Sequence, residues 1–510
     1  MKNEELGTEN DKPEFARFGR AFSILHSSFF VFHSSFIRIA LCCLFLAVAA
    51  AAPCQAESPR PPNVVLILAD DLGWADLGCY GNKFNETPHL DRFAKQGIRF
   101  TSFYAAAPVC SPTRAAILSG QYPARLGLTA HIPGHWRPFE KLAEPPIALE
   151  LPLETVTIAE SLKSRGYATG HFGKWHLGGR GFGPKEQGFD VAIEFNGHSI
   201  PGPRQEPPAK SPRRAGDYLA DKAIEFVRAH KHGPFYVQVH PFAVHIPLDT
   251  TPQLQKKYES KAKVDGYSCH PTYAGLLEEL DSCVGKILKA LDELHLADNT
   301  LVIFTSDNGG LERESGGWPG TLNRPLRNEK GSLYEGGIRI PTIIRWPGRA
   351  KVGAVSDGPA ISTDLYPTIV EAAGAKAPEQ TMDGVSLISR LSLPEAQSQR
   401  LLFWHYPHYH HSRPSSAIRQ GRWKGIEFFD TGEFELYDLE KDISESNDLA
   451  KAEPARAAAL RTALARWRQE VNAQMPRRNP AYDPKRAGEW WSRGKVEPVE
   501  PPGTYRPMKK

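Results

Sequence analysis

Cysteine and methionine are scarce in this sequence, with 7 and 4 among 510 residues. So few cysteines exclude a small fold held by a disulfide framework. An excess of charge of one sign is also missing. Lys plus Arg number 62 against 58 for Asp plus Glu, a formal net charge of +4, which excludes a nucleic-acid binder that works through a basic face. No collagen, coiled-coil or solenoid period is visible, so fibrous and repeat classes fall away. What remains is a globular composition, 41% hydrophobic and 24% charged, long enough for one large core and a smaller one. The 43 glycines and 43 prolines point to many surface loops.

A long apolar run is lacking too. The stretch 39–52, IALCCLFLAVAAAA, would span only ~21 Å as a helix, short of a bilayer core of ~30 Å. Arg38 before it and the small-residue end at 54–56 read as an export signal cleaved after Ala56. The expectation is an exported protein, periplasmic or extracellular, with no stable membrane insertion. Cys79, Cys110, Cys269 and Cys283 lie beyond that cleavage point. Cys269 and Cys283 are the expected pair if a bridge forms, on proximity alone.

The runs NVVLILA at 63–69, FYVQVH at 235–240 and TLVIFTS at 300–306 are continuous, apolar and β-branched, as strands buried on both faces should be. YATGHF at 167–172 has the same character. Helical patterns lie between them at 155–165, 216–231 and 271–294, the last with a 3.6-residue stripe from Leu276 to Leu291. This alternation predicts an α/β fold with a large, mixed, mostly parallel sheet sandwiched by helices. After 400 the pattern changes to short segments at 401–405, 416–420, 423–429 and 434–437, then a helix over 452–472. The expected organisation is a signal and extension at 1–56, a catalytic domain at 57–400, a small antiparallel sheet plus helix at 401–474, and an irregular tail at 475–510.

In an open α/β sheet ligands bind outside the carboxyl ends of the strands. Asp70 and Asp71 follow strand 63–69 directly, Asp307 and Asn308 follow 300–306, and His245 lies just past 235–240. Adjacent carboxylates repel unless a cation sits between them. An all-oxygen set of this kind suits Ca²⁺ or Mg²⁺; the bland alternative is an Asx-turn or helix cap for each pair.

The segment PVCSPTRAAILSG at 108–120 carries more. Pro112 fits the first turn of a helix, which places Cys110 near a helix N-terminus, where the dipole favours an anion. Arg114, four positions on, projects over the same patch. A thiol aimed at a hard-cation site is chemically odd, because an oxygen there would complete the shell.

CSPTR resembles the CxPxR motif of type I sulfatases, of the alkaline phosphatase superfamily. GYATGHFGKWHLG at 166–178 is similar to that family's second signature. NVVLILADDLGWADLGCYG, LVIFTSDNGG, KGSLYEGGIRIP and ELYDLEKDISESNDLA also resemble the family. The resemblance implies an alkaline-phosphatase-like fold and hydrolysis of sulfate monoesters. It implies that Cys110 is converted to formylglycine by a maturation enzyme, the aldehyde hydrate being the nucleophile. It assigns one Ca²⁺ to Asp70, Asp71, Asp307, Asn308 and the modified Cys110. Arg114 would hold the formylglycine hydroxyl and the charge on the metal side. Lys174 would contact the sulfate, His176 the formylglycine hydroxyl, and Lys330 the sulfate ester from the other side. His245 would donate a proton to the leaving alcohol. The implied partners are a sulfated sugar or an aryl sulfate, with general likeness favouring a galactose or N-acetylgalactosamine sulfate. A formylglycine-dependent phosphonate or phosphodiester hydrolase and a silent Ca²⁺-stabilised carbohydrate-binding protein are the competing readings.

Three further features carry expectations. Residues 131–151 shape the pocket. The cluster His405, His408, His410 and His411 is expected to form a solvent-exposed loop near its mouth, the alternatives being a transition-metal site or a lining of the substrate pocket. Lys210, Arg213 and Arg214 form a solvated loop.

Overall fold

The computed structural model describes residues 60–200, 213–312, 314–315, 318–396, 398–492 and 498–499. The export segment and Lys210 lie outside the described residues. The central sheet is built from β1 (Asn63–Ala69), β2 (Ile98–Tyr104), β3 (Ala168–Gly173), β4 (Val191–Glu194), β5 (Phe235–His240), β6 (Thr300–Ser306), β7 (Arg339–Arg345), β8 (Ala354–Ser356) and β9 (Ala360–Ile361). Their spatial order is β8-β2-β7-β6-β1-β5-β3-β4, with β9 also beside β2. The neighbours of β1 run parallel to it, while β7 runs against both β6 and β2. The sheet is therefore mixed and mostly parallel.

The seven residues of β1 are all buried because the strand serves two cores at once. Successive side chains alternate between the faces of a sheet. Val64, Leu66 and Leu68 pack with α2 (Cys110–Ser119), α3 (Ile158–Lys163) and α6 (Leu365–Ala372) through Ile117, Leu118, Ile158, Leu162, Leu365 and Ile369. Val65, Ile67 and Ala69 meet α1 (Pro88–Gln96), α4 (Ala215–His230) and α5 (Pro271–Glu293) through Leu90, Phe93, Leu219, Ala223, Leu277 and Leu280. Helices thus cover both faces, as the unbroken apolar runs predict.

The second, smaller sheet is an antiparallel meander of β10 (Leu401–Tyr406), β11 (Ser415–Gln420), β12 (Trp423–Phe428) and β13 (Phe434–Asp438). Helix α7 (Pro454–Glu470) packs on it through Leu460, Leu464 and Trp467. The same cluster takes in Tyr104 of β2 and Ala116 of α2, so the small sheet is seated on the helix that begins at Cys110. A buried ionic group ties the seam. Lys424 on β12 lies 2.8 Å from both Glu335 and Glu445, and Glu335 also takes Arg339 at 3.1 Å and the Tyr104 hydroxyl at 2.7 Å.

Three expectations change. Cys269 and Cys283 are free thiols. Cys269 precedes α5 and receives the Val264 backbone N–H at 3.3 Å. Cys283 lies 12 residues into that helix, ~18 Å along its axis, whereas a bridge needs Cα atoms within ~7 Å. His405, His408 and His410 are buried, not exposed, because the segment is strand β10 and the turn after it, covered by the chain end. The tail also departs from irregularity. Arg477–Arg478 pairs with Leu142–Ala143, and Trp490–Ser492 pairs with His135–Trp136. Arg213 and Arg214 are tied into ion pairs with Asp217 and Asp221 and with Asp249 and Glu279.

Candidate active site

Register brings the polar residues together. In the parallel pair, Ala69 stands level with Ser306, so the residues that follow, Asp70–Asp71 and Asp307–Asn308, leave the sheet side by side. The Asp71 backbone N–H donates to Asp307 Oδ1 at 3.1 Å, and Asn308 Nδ2 donates to Asp71 Oδ1 at 2.8 Å. Asp71 holds φ at 62°, the left-handed region that a non-glycine residue enters only when its surroundings over-determine it. All four side chains are buried.

Helix α2 points its first turn at this cluster. Cys110 is its first residue, and no side chain caps the N-terminus. Arg114 is fully enclosed and reaches Asp307 Oδ2 with Nη2 at 2.7 Å and Nε at 3.0 Å, and the Lys174 carbonyl with Nη1 at 2.9 Å. Gly120 ends the helix at φ 69°, its N–H returning to the Ala116 carbonyl, the left-handed stop glycine favours.

Lys174 and His176 follow β3. Gly173 permits their approach: at φ 121° a Cβ there would stand 2.0 Å from the His240 carbonyl oxygen. Lys174 Nζ lies 2.7 Å from Asp70 Oδ2, and Lys330 Nζ lies 2.6 and 2.7 Å from the two oxygens of Asp71. His176, also at positive φ (61°), places Nδ1 3.2 Å from Cys110 Sγ, and its Nε2 bonds the Ile132 carbonyl. A carbonyl only accepts, so Nε2 carries the proton and Nδ1 presents a lone pair to position 110. His245 likewise uses Nδ1 on the Ile246 carbonyl and turns Nε2 toward Asp71 Oδ2 at 3.6 Å.

Three carboxylates and three cations in one buried volume set the protonation. Burial pushes the Asp70 carboxyl up, but Lys174, His245, Arg114 and Lys330 outweigh it and hold the group far below the usual range. Asp71 is held down in the same way, chiefly by Lys330. Burial and the repulsion of Asp70 raise Asp307 to about 6 despite Arg114. Burial and Lys174 lower His176 to about 3, and burial lowers His245 to about 4 against the pull of Asp71. Burial also raises the Cys110 thiol, so the cysteine as encoded is a poor nucleophile.

The donors fit a hard cation. Asp70 Oδ1 and Asn308 Oδ1 are buried oxygens without a hydrogen-bond partner among the described residues, an unfavourable state unless a ligand meets them. Asp70, Asp71 and His245 bring ligand atoms within 4.8 Å of one another. Asp70, Asp71, Asp307 and Asn308 supply oxygens, the chemistry of Ca²⁺ or Mg²⁺.

Above this floor opens a cavity of about 360 Å³, bordered by Cys110, Lys174, His176, His245 and Lys330. The structure thus brings every expected site residue to one place. It also adds residues that sequence reasoning had not singled out as site residues. Phe242 lies 5.3 Å beneath Lys174 Nζ. His240 Nδ1 lies 3.3 Å from Arg114 Nη1 and 3.2 Å from the Lys174 carbonyl, and His198 Nε2 donates to the His245 carbonyl at 2.7 Å. His131, Ile132, Pro133 and His135, from the stretch expected to shape the pocket, line its wall with His410 and His411. The crowding of histidine in HIPGH and HYHH was the available signal.

Cations arrayed around carboxylates at the strand ends, beside a helix N-terminus, suit a site where negative charge develops on an ester. Comparison with known proteins narrows the class. Residues 62–375 match the Sulfatase family model, and residues 328–471 match that of the N-sulphoglucosamine sulphohydrolase C-terminal region. The chain belongs to the sulfatase family and is a sulfuric ester hydrolase. It is 36% identical to human (Homo sapiens) arylsulfatase A over 444 residues, 76% of this chain and 83% of that protein. To human N-acetylgalactosamine-6-sulfatase it is 35% identical over 366 residues, 66% of each chain. Among solved structures it resembles Ps i-CgsB in complex with k-i-k-neocarrahexaose, at 28% identity and a TM-score of 0.69, covering 83% of this chain and 95% of that one. Members of the family generally use a formylglycine and a divalent metal ion. Among the described residues no helix is long and apolar enough to cross a membrane.

Proposed function

We propose that this enzyme releases inorganic sulfate from a sulfated carbohydrate through a formylglycine formed at Cys110, with Ca²⁺ held by Asp70, Asp71, Asp307, Asn308 and the modified residue. The observation that carries the reading is the 3.2 Å contact between Cys110 Sγ and the bare Nδ1 of His176, at a helix start flanked by Lys174 and Lys330. The hydrated aldehyde supplies an oxygen nucleophile where the encoded thiol is unreactive. Ca²⁺ held by those donors would supply positive charge to offset the negative charge of the ester.

The chain's own residues do the rest. Lys174 and Lys330 hold the sulfate oxygens, and the negative charge that builds on the ester meets preorganised cations rather than water. Arg114 fixes Asp307 and balances the carboxylates. His176 accepts a proton from the group at position 110, as its lone pair is already turned there. His245, its Nδ1–H fixed on the Ile246 carbonyl, would deliver a proton to the departing alcohol from Nε2 only as the imidazolium, with both ring nitrogens protonated.

Residues 57–400 carry this chemistry, residues 401–474 brace it, and residues 1–56 direct export to the periplasm or beyond. A galactose or N-acetylgalactosamine sulfate is the proposed substrate. The likeness to N-acetylgalactosamine-6-sulfatase and to a structure solved with a neocarrahexaose supports it. The test is the mass of the Cys110 peptide from protein made with a formylglycine-generating enzyme, followed by sulfate release from galactose-type sulfates with Ca²⁺ present. Conversion with turnover is expected. An unconverted cysteine, with a control sulfatase converted in the same cells, would overturn the reading.

A further inference from the structure

A second cavity, of about 550 Å³, opens in the seam between the two sheets and shares no bordering residue with the one above the reacting site. Strand β2 brings Ser102 to it, β7 brings Arg339 and β11 brings Arg419, while the turn after β11 adds Arg422 and helix α7 adds Arg456. The lining runs from depth to surface. Arg339 and Arg419 are each only 6% exposed and Ser102 is buried, whereas Asp357, Glu440 and Arg456 are exposed. All of them border the same cavity, so a solute entering at the mouth reaches the two buried guanidiniums.

Those guanidiniums are held from behind. Arg339 donates from Nη1 to Glu335 at 3.1 Å, from Nε to the Thr101 carbonyl at 2.7 Å and from Nη2 to the Ser102 hydroxyl at 2.9 Å. Arg419 donates from Nε to the Gly421 carbonyl at 2.8 Å and from Nη1 to the Tyr104 hydroxyl, which itself donates to Glu335. A guanidinium carries five N–H groups. These contacts among the described residues use three on Arg339 and two on Arg419. Glu335 is shared with Lys424, which also meets Glu445. Arg339, Arg419 and Lys424 thus face two carboxylates, and a buried cation in excess is costly unless a counter-charge meets it. At the mouth Glu440 is paired with Arg422 at 2.9 Å, and the Arg456 guanidinium lies 4.3 Å over the Trp423 ring. The other bordering carboxylate, Asp357, is exposed, where water screens it.

We propose that this cavity is a second oxyanion site, apart from the reacting one, which binds a sulfate group carried by a sugar unit through Arg339, Arg419 and the Ser102 hydroxyl. A guanidinium fork matches the paired oxygens of such a group, and a serine hydroxyl can donate beside it. The volume is that of a site enclosing a small organic ligand, which selects a sulfated sugar over the bare ion. Pro359, Trp423 and Leu439 supply apolar surface for its carbons. The oxyanion part stands on this cavity alone, and the sugar part rests on the carbohydrate reading above. A sulfated chain bound here is held at a unit that is not being cleaved.

The test is calorimetric titration of the full chain with Ca²⁺ present, made without the maturation enzyme so that nothing is turned over, and carrying Lys174→Ala to weaken the reacting site. The probes are galactose 6-sulfate, galactose and sodium sulfate. Galactose 6-sulfate should bind, sodium sulfate should bind more weakly, and galactose should not bind. Adding Arg419→Gln should weaken binding of the sugar sulfate on the order of 10- to 100-fold, the size of lost charged hydrogen bonds. Adding Arg456→Ala, at the exposed mouth, should weaken it about 2- to 5-fold. Affinity unchanged by both substitutions, or equal affinity for galactose, would overturn the site. Sodium sulfate bound as tightly as the sugar sulfate, with the same dependence on Arg419, would support the oxyanion part and overturn the sugar part. If the Arg419→Gln chain does not fold, Arg456→Ala decides, a loss supporting the site and no change overturning it. Turnover by the formylglycine-bearing wild type keeps the two readings apart. Sulfate release from p-nitrophenyl sulfate but from no sugar sulfate would remove the carbohydrate reading. Turnover of a sugar sulfate without Arg419-dependent binding would remove only the second site.

Discussion

Arg114 binds a single oxygen of Asp307 with two of its nitrogens while a third holds the Lys174 carbonyl. One guanidinium therefore sets the spacing between the end of β6 and the end of β3. Lysine keeps the charge but lacks the planar fork. Arg114→Lys should lower kcat/KM by ~10²-fold with the fold retained, checked by steady-state kinetics beside a circular dichroism spectrum. Near-wild-type activity would show that charge alone suffices.

Lys174 and Lys330 approach the carboxylates from two different loops, at 2.7 Å from Asp70 and 2.6 Å from Asp71. If each stabilises the transition state as an oxyanion donor does, Lys174→Ala and Lys330→Ala should each cost ~10²–10³ in kcat. A rise in KM alone would instead assign the lost lysine to ground-state binding.

The unmet oxygens of Asp70 and Asn308 predict that Ca²⁺ stabilises the fold. At 100 times its Kd, Ca²⁺ should add ~2.7 kcal/mol, read as a higher melting temperature that EGTA reverses. Asp71→Asn should shrink that shift while leaving a folded protein. A melting temperature insensitive to Ca²⁺ and Mg²⁺ would remove the metal from the site.

Acid should weaken the seam between the two sheets. Burial raises Glu335, but Lys424, Arg339 and Arg419 outweigh it and hold the carboxyl at about 2, below its ordinary 4.5. A depressed carboxylate adds stability above the unfolded value and loses it as pH falls toward the folded one. Unfolding free energies from urea titrations should therefore drop between about pH 4.5 and 2, by at most ~3 kcal/mol from this group. Glu335→Gln should be less stable at neutral pH and lose less on acidification. Lys424→Met, which leaves two buried carboxylates without their shared cation, should cost ~3–5 kcal/mol.

Strands β1, β5 and β6 were legible to the residue because a strand buried on both faces has to be apolar throughout. Strands β1 and β6 run straight into Asp70–Asp71 and Asp307–Asn308, so the four oxygen donors were legible with them. The helix expected over 155–165 begins later. Thr157 and Glu160 form a capping box that fixes its start at Ile158, and propensity could not weigh that local exchange of hydrogen bonds. Strands β2 and β7 were not singled out. Ile98–Tyr104 alternates with polar residues, and Arg339–Arg345 contains a proline that argues against a central strand. The histidine wall was legible only in part, since 131–151 and 405–411 were each read toward the pocket but not as neighbours of Trp490. It forms where His131, His410 and Trp490 meet, and no local pattern records contacts between such distant parts of a chain.

Reaction chemistry and substrate shape are written on separate pieces of this chain. The ester-cleaving groups hang from the ends of β1, β3 and β6 and the start of α2, parts that cannot shift without opening a core. The outer wall hangs on a few backbone hydrogen bonds between His135–Trp136 and Trp490–Ser492. Substitutions, insertions or exchanges in those two short ribbons can therefore retune which sulfate esters are admitted while the bond-breaking apparatus is inherited intact.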